Sequence, residues 1–397
     1  MNLPELSAYQ KKRSLIGVIA AMAIVNLVYG ITFPLLALVL DAQGVSKTLI
    51  GLSTIAQAAA VIVIAPWTPA LLQRFAPSRV MQTVTLFLAM LFILAGAFPN
   101  VWIWFPLRFV IGAMTALLWI SSEALINELA EERWRGRIIG LYSSVGAAGF
   151  AMGPLLLILT GSEGMAPFYA TTTMILLAAI PLFVVSHRKM GHAQEQSEGL
   201  WKVFFLAPTI MVANVVYAAG AESMLTFFPI FGMSLGLTEN VTLWLLTMVG
   251  LGGMFLVMPI SWLADHVDRM GLMALSVFLT MIGLLLMPWL VVMPWVADVY
   301  AFIFGGVEGM IYALGVILVG QRFRGAMLAM ATTMFTACWG AGTMLGPLLV
   351  GIGMDWLGPQ YMPFLVLMFF AAFLPMPVIS YIRSRGLHGA RPDRSAQ

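Results

Sequence analysis

The chain has 397 residues, of which 61% are hydrophobic and only 9% are charged, and its mean hydropathy is +0.96. Soluble domains carry about 25% charged and about 45–50% apolar residues, so the composition excludes a soluble protein and indicates an integral membrane protein. The net charge of +3 gives no indication of nucleic acid, which we do not expect as a partner. The single cysteine, Cys338, excludes an internal disulfide and a thiolate metal cluster.

Twelve apolar runs are long enough to span a bilayer, which takes about 17–25 helical residues. They form two groups of six, so we expect an all-α integral membrane protein with twelve transmembrane helices in two pseudo-symmetric six-helix bundles. The expected boundaries are 1–187 for the first bundle, 188–202 for a cytoplasmic linker, and 203–397 for the second bundle and a short tail. The runs lie near 14–40, 49–72, 79–99, 102–127, 137–161, 166–186, 203–234, 241–264, 271–292, 297–319, 326–352 and 360–382.

The distribution of lysine and arginine predicts the orientation of the spans. If both termini are cytoplasmic, 18 of the 20 basic residues fall in cytoplasmic segments, with Lys47 on the outer side and Arg108 inside a span. Basic residues collect in the cytoplasmic loops of membrane proteins. We therefore predict that both termini and the linker face the cytoplasm.

The two halves of the sequence repeat each other. ITFPLLAL around Pro34 recurs as TFFPIFGM around Pro229, and Gly153-Pro154 recurs as Gly346-Pro347. These offsets of 195 and 193 residues are about half the chain. A duplicated unit of this kind is typical of transporters whose substrate cavity lies between the halves, near the middle of the bilayer.

The fifth span contains a glycine-rich pattern that ends in proline. Gly149 and Gly153 share a helix face, because residues four apart lie one above the other, and small residues there let a neighbouring helix approach closely. We predict a helix-packing motif formed by Gly140, Gly149, Gly153 and Pro154.

These stretches resemble the Major Facilitator Superfamily, and the resemblance covers nearly the whole chain. The sequence RFVIG from Arg108 to Gly112 resembles the fourth-helix motif of the family, which implies a role for Arg108 in proton coupling. The pattern from Gly140 to Pro154 resembles the fifth-helix motif of proton-coupled exporters. Leu157 and Ile158 replace the glycines that usually close this motif, which weakens the implication of export.

The cytoplasmic loop motif of the family is recognisable only in the second half. SWLADHVDRM keeps the two key charges, Asp265 and Arg269, whereas the corresponding PALLQRFAPSR in the first half has lost the aspartate. The resemblance implies that Asp265 and Arg269 belong to a cytoplasmic gate. The uneven motif resembles an orphan bacterial branch of unassigned substrate, which implies the bacterial inner membrane.

Three charged residues stand well inside predicted spans, away from their ends. Arg108 interrupts an apolar run, where a charge costs roughly 2.5–3.5 kcal/mol on insertion scales. Glu222 and Glu308 fall near the middle of their spans. Intramembrane charges are functional by default, so we expect the two carboxylates to carry protons or contact substrate, and Arg108 to regulate them. A structural ion pair between the bundles is the alternative.

Further polar residues are candidates for a gate or a substrate cavity. Glu123 follows Arg108 by fifteen residues, about 22 Å of helix, so it lies near the inner surface. There it either pairs with hinge arginines such as Arg135, as part of the gate, or contacts substrate. Residues at cavity depth, each of which alternatively bonds neighbouring helices together, are Asn26, Tyr29, Gln57, Tyr142, Asn214, Tyr217 and Tyr312.

The function that fits these features is transport. The sequence has no phosphate-binding loop, no HExxH motif and no cluster of cysteine and histidine, so we expect no enzyme activity, no cofactor and no metal. We predict a monomeric secondary transporter that exports a small molecule with proton coupling. The alternatives are proton-coupled uptake, facilitated diffusion, or a non-transporting sensor built on a degenerate transporter.

Overall fold

A computed structural model describes residues 8–64, 67–129, 135–185, 200–264 and 266–389, and this part of the chain is built from helices. In the first half they are α1 Ala8–Ala42, α2 Lys47–Ile64, α3 Thr68–Arg74, α4 Pro77–Ala97, α5 Val101–Leu129, α6 Arg135–Thr160 and α7 Ala166–Ala179, extended by a 3-10 helix, Ile180–Val184. In the second half they are α8 Leu200–Leu206, α9 Pro208–Ser234, α10 Glu239–Leu263, α11 Arg269–Leu290, α12 Val296–Arg322, α13 Gly325–Leu357, α14 Met362–Phe373 and α15 Pro375–Gly389.

The helices confirm the predicted fold class of twelve transmembrane segments in two six-helix bundles. In the described residues, eleven helices are long and apolar enough to cross a membrane. The shorter apolar helix Ser144–Thr160, which forms most of α6, is the remaining span. The bundle boundary predicted at 187 and most of the 188–202 linker lie outside the described residues, as does the end of the predicted tail.

Proline divides three of the predicted apolar runs. The second run is split into α2 and α3, the seventh into α8 and α9, and the twelfth into α14 and α15. Proline stands at the start of α3 and α9, and Pro375 begins α15. Its ring is tolerated in the first turn of a helix, which is where each new helix begins.

Two helix pairs repeat the same packing in the two bundles. In the first bundle α6 lies against α1, and a side chain at Gly153 would overlap the main chain of Gly30. In the second bundle α13 lies against α9, and Gly346 meets the main chain of Ala219 in the same way. The sequence repeat around Gly153-Pro154 is therefore a repeat of helix contacts.

The two ends of the spans differ in charge. We call the end with Arg74, Arg79, Arg269 and Arg322 the basic end, and the end with Asp41, Glu239, Asp298 and Asp355 the acidic end. The bundles meet through α2 on α13 and α6 on α10. Gly51 of α2 packs directly on Pro347 of α13, close to the acidic end.

The space between the bundles opens toward the basic end. On α13, Trp339 shares a helix face with Thr336 and Thr332, which are one and two turns nearer the basic end. Trp339 is partly buried, whereas both threonines are exposed. The same face of α13 is therefore covered at Trp339 and uncovered between Trp339 and the basic end. We call the space between the bundles in front of this uncovered face the central cavity.

Candidate functional site

Trp339 joins the two bundles at the closed end of the cavity. Its ring centroid is 6.0 Å from that of Tyr29 on α1 and 6.0 Å from that of Trp119 on α5, with edge-to-face geometry in both pairs. Aromatic rings favour this arrangement, because the positive edge of one ring meets the negative face of the other. Side chains from α1, α5 and α13 therefore form one aromatic cluster across the bundle interface.

A second aromatic group lies within the second bundle. The rings of Tyr217 on α9 and Tyr312 on α12 are 5.5 Å apart, and Tyr312 is 5.7 Å from Phe335 on α13. Tyr312 is 40% exposed although it stands in the middle of a span. Tyr29, Tyr217 and Tyr312, predicted from the sequence as cavity residues, thus belong to these two aromatic groups.

Glu123 lies beside the first aromatic cluster. Trp119 donates a hydrogen bond of 2.8 Å from its indole nitrogen to Glu123 Oε1, one turn further along α5. The carboxylate is exposed and is near enough to Tyr312 of the other bundle to act on its hydroxyl electrostatically. The side chain of Arg135, its predicted gate partner, lies outside the described part.

Glu222 and Glu308 are almost completely buried, with 5% and 4% of their surface exposed. Oε2 of Glu222 and Oε1 of Glu308 have no hydrogen-bond partner. Tyr217 is near enough to both carboxylates to interact with each electrostatically, and Tyr29 interacts in this way with Glu222. Glu222 therefore lies near both aromatic groups, and Glu308 lies near the second.

Arg108 is fully buried between α5 and α2 of the first bundle. Its Nη1 donates to Ser53 Oγ, while Nε and Nη2 have no hydrogen-bond partner. Gln57, one turn beyond Ser53, has both amide atoms without partners, and its main chain packs on Gly112. Among the described side chains, no carboxylate forms an ion pair with Arg108, so the ion pair offered as the alternative is not found there.

Three other predicted cavity residues bond neighbouring groups. Asn214 of α9 donates to the Phe335 carbonyl of α13 at 2.6 Å, and the Tyr142 and Ser122 hydroxyls are 2.8 Å apart between α6 and α5. Asn26 donates to the carbonyl of Met22 in its own helix, at 3.0 Å. Asn214 and Tyr142 therefore have the helix-bonding geometry that the sequence left open as the alternative, whereas the bond of Asn26 stays within α1.

The predicted gate residues at the basic end are only partly described. Asp265 lies outside the described residues. Arg269 Nε donates to the Ala264 carbonyl at 2.9 Å, and its side chain borders a cavity of about 660 Å³ that Arg322 and Arg383 also line. Arg269 therefore stands at a basic, solvent-accessible surface of the second bundle.

The acidic end contains contacts between the bundles that were not predicted from the sequence. Asp355 of α13 accepts hydrogen bonds of 2.8 Å from the main-chain nitrogens of Lys47 and Thr48 at the start of α2. Ser162 donates to Glu239 Oε2 at 2.9 Å, which links the loop after α6 to the start of α10. Both contacts hold the bundles together at this end.

The arrangement can bind an organic solute and exchange protons. Aromatic rings and a carboxylate face a cavity that is accessible from one side, and two further carboxylates lie next to it. Trp119 and Trp339 were missed from the sequence, although the spacing of Trp119 and Glu123 on one helix face was a usable signal. In the described residues, no group of three or more histidine, cysteine, aspartate or glutamate side chains is placed to hold a metal.

Comparison with known proteins identifies the same architecture. A model of the family described as the Major Facilitator Superfamily matches residues 18–307 and 210–396. An MFS-type transporter of Enterobacter sp. (strain 638) is 22% identical over 326 residues, which cover 81% of this chain and 82% of the relative. The MFS-type transporter YfkF of Bacillus subtilis (strain 168) is 21% identical over 330 residues, covering 81% and 84%.

Two solved structures have the same fold. The crystal structure of the nucleoside transporter NupG superimposes with a TM-score of 0.69 at 15% identity, covering 93% of this chain and 98% of that one. A bacterial homolog of the human lysosomal transporter Spinster, in an inward-facing and unoccupied conformation, gives a TM-score of 0.68 at 13% identity, covering 94% of each chain.

Proposed function

Because this chain belongs to the Major Facilitator Superfamily, we propose that it exports a small molecule across the bacterial inner membrane in exchange for protons. Its family makes it a multi-pass membrane protein of a transporter type, with a small-molecule substrate. Secondary active transport, proton coupling and the direction of export are the parts that we propose.

The observation that carries the proposal is the pair of buried carboxylates. Glu222 and Glu308 each have an oxygen without a hydrogen-bond partner, and among the described side chains no ion pair neutralises either one. An unpaired charge is costly in such an environment, so a buried carboxyl group is more stable when it is protonated. A carboxyl group that is buried in one conformation and hydrated in another therefore takes up and releases a proton during the cycle.

The cavity supports alternating access. The bundles are in contact at the acidic end and separated below Trp339, so opening the acidic end and closing the basic end would expose the same residues to the other side. Rocking of two repeats about a central site is the usual motion in such transporters. With the basic end in the cytoplasm, this conformation receives solute from inside, and the fifth-helix pattern from Gly140 to Pro154 resembles that of exporters.

Two proposals concern the remaining predicted residues. Asp265 and Arg269, with Glu123 and Arg135, form the gate that closes the basic end when the acidic end opens. Arg108 biases the proton-carrying carboxylates through its charge, from its position between α5 and α2.

The test is solute-dependent proton movement in proteoliposomes that contain a pH-sensitive dye. The solute library includes nucleosides, because NupG shares the fold. Once a solute is found, Glu222→Gln and Glu308→Gln are compared with the parent protein in two assays, gradient-driven flux and gradient-free exchange. We expect one of the two variants to lose gradient-driven flux while it retains exchange, because glutamine resembles the protonated acid.

The matched control is Glu163→Gln, which changes an exposed acid in the loop after α6 and should behave as the parent. Gradient-driven flux that is unchanged in both Glu222→Gln and Glu308→Gln would contradict the coupling assignment. The direction of the imposed gradient that drives accumulation separates export from uptake. Solute movement without proton movement would indicate facilitated diffusion, and no movement of any solute would favour a sensor.

A further inference from the structure

We infer that the central cavity binds an organic cation with a flat aromatic part, held against the accessible surfaces of Trp119 and Trp339 and neutralised by Glu123. The inference rests on the proposed function in one respect, since it takes the occupant of the cavity to be the transported solute. It assigns a chemical class to that solute from three observations on the cavity walls.

The first observation is the aromatic cluster. Trp119 comes from the first bundle and Trp339 from the second, with ring centroids 6.0 Å apart and planes at 88°. Both side chains are only partly buried, so part of each indole is accessible. Indole faces carry negative electrostatic potential and bind cations more strongly than other aromatic side chains do. A flat aromatic ion gains both stacking and cation–π attraction on such walls.

The second observation is the charge around the cluster. Glu123 is bonded to Trp119, so a cation on that indole lies next to a carboxylate. Glu222 lies near Tyr29 of the same cluster and adds to the negative charge once it has released its proton. Among the side chains that the structure describes, no lysine or arginine forms an ion pair with Glu123 or Glu222.

Arg108 does not offset the charge of Glu123. It precedes Trp119 by eleven residues on α5, about 16 Å of helix, and its guanidinium is bonded to Ser53 within the first bundle. The side chains that the structure describes around the central cavity therefore favour a positively charged solute over a neutral or anionic one.

The third observation is access. Glu123 and Tyr312 are exposed from opposite bundles, and Thr332 and Thr336 leave the α13 face open below Trp339. A solute entering from the basic end meets the Glu123 carboxylate and the Trp119 ring together. Glu123 and Trp119 therefore form the side of the binding site that a solute meets first. Trp339 forms the opposite side, toward the acidic end.

The test uses two probes of matched shape, N-methyl-phenylpyridinium, which is permanently charged, and phenylpyridine, which is uncharged at mildly alkaline pH. Equilibrium dialysis against the purified full-length protein measures both dissociation constants with no proton gradient. We expect the cation to bind about tenfold more tightly than the neutral probe, because a nearby carboxylate favours it.

Four variants assign the preference to residues. Glu123→Gln should reduce the preference for the cation by about tenfold and leave the affinity for phenylpyridine unchanged. Trp339→Leu should weaken cation binding about fivefold, whereas Trp339→Phe should stay within about twofold of the parent, since it keeps an aromatic face. The control Trp102→Leu, at a ring that is 69% exposed near the acidic end, should bind both probes as the parent does.

Thermal unfolding of each variant shows whether it is folded, and the neutral probe reports an intact cavity independently of charge. The inference is overturned if phenylpyridine binds as tightly as the cation, or if Glu123→Gln leaves the preference unchanged. Because binding is measured without a gradient, it does not depend on proton coupling. Cation selectivity together with unchanged flux in the Glu222 and Glu308 variants would contradict only the coupling proposal. Equal binding of the two probes, together with loss of gradient-driven flux in one of those variants, would contradict only the inference of an organic cation.

Discussion

Asp355, near the last turn of α13, caps the helix that begins at Lys47. Its two carboxylate oxygens accept hydrogen bonds of 2.8 Å from the main-chain nitrogens of Lys47 and Thr48, respectively. The first nitrogens of a helix lack partners within it and carry partial positive charge, so a carboxylate is favoured there. Here the cap comes from the other bundle, 308 residues away in sequence, and it joins the bundles only while the acidic end is closed.

We predict that Asp355→Ala favours the conformation that is open at the acidic end. Loss of a helix cap costs about 1 kcal/mol, which corresponds to a shift of about fivefold in the ratio of the two conformations. The measurement is alkylation of Thr343→Cys by a membrane-impermeant maleimide added from the acidic side, in a Cys338→Ser background. Thr343 is buried on α13 between Trp339 and Pro347, so it reacts only when the bundles separate there.

The control for this prediction is Asp298→Ala. Asp298 accepts a hydrogen bond of 2.9 Å from the Trp244 indole, and both residues belong to the second bundle. Loss of this hydrogen bond in Asp298→Ala should therefore leave the alkylation rate of Thr343→Cys unchanged. Equal rates for Asp355→Ala and the parent would show that the cap does not stabilise the closed acidic end.

A second prediction concerns the contact between α1 and α6. Alanine at Gly153 would place its methyl group within the main chain of Gly30 and Ile31, which cannot move as a flexible side chain can. We expect Gly153→Ala to destabilise the protein by about 1–3 kcal/mol, the usual cost of overpacking, and to lower its melting temperature in detergent.

Gly340→Ala is the matched control for Gly153→Ala. It adds the same methyl group within a span, at a position where the methyl would meet no atom of another helix within 4 Å. Alanine is favoured over glycine in a helix interior by up to about 1 kcal/mol, so the melting temperature should hold or rise. A Gly153→Ala protein as stable as the Gly340→Ala protein would mean that α6 can move away from α1 at little cost.

A third prediction is the orientation in the membrane. Single cysteines are introduced as Gly236→Cys, in the turn between α9 and α10 at the acidic end, and as Gly191→Cys in the linker, in a Cys338→Ser background. Because 18 of the 20 basic residues lie on the side assigned to the cytoplasm, we expect an impermeant thiol reagent added to intact cells to label Gly236→Cys and not Gly191→Cys. Labelling of the linker cysteine from outside would reverse the assignment of the two ends.

The spans and their repeat were predictable from the sequence because each depends on local information. Hydropathy and length identify a transmembrane helix without reference to its neighbours, and the recurrence of Gly153-Pro154 as Gly346-Pro347 identified equivalent spans. The breaks before α3 and α15 were missed, although Pro69 and Pro375 were visible, because apolar character continues through them.

The partners of the site residues were not predictable, because they are remote in sequence. Trp119 and Trp339 come from different bundles, and nothing in either local sequence selects the other. Arg108 was recognised as a costly buried charge, but its contact with Ser53 depends on how α5 packs on α2. The role of Asp355 was hidden for the same reason, since an acid near a helix end is ordinarily only a solvated group.

The closed acidic end has one more property, which follows from the contact of α2 with α13. Gly51 meets the main chain of Pro347 and Leu348, and Gly351 meets that of Lys47 and Thr48. Main-chain atoms in helices have no rotamers with which to yield gradually, and close-packed interfaces tend to be bistable. The contact between α2 and α13 therefore opens along its whole length in a single step. Single-molecule measurements of the distance between α2 and α13 should switch between two values and show no intermediate distance.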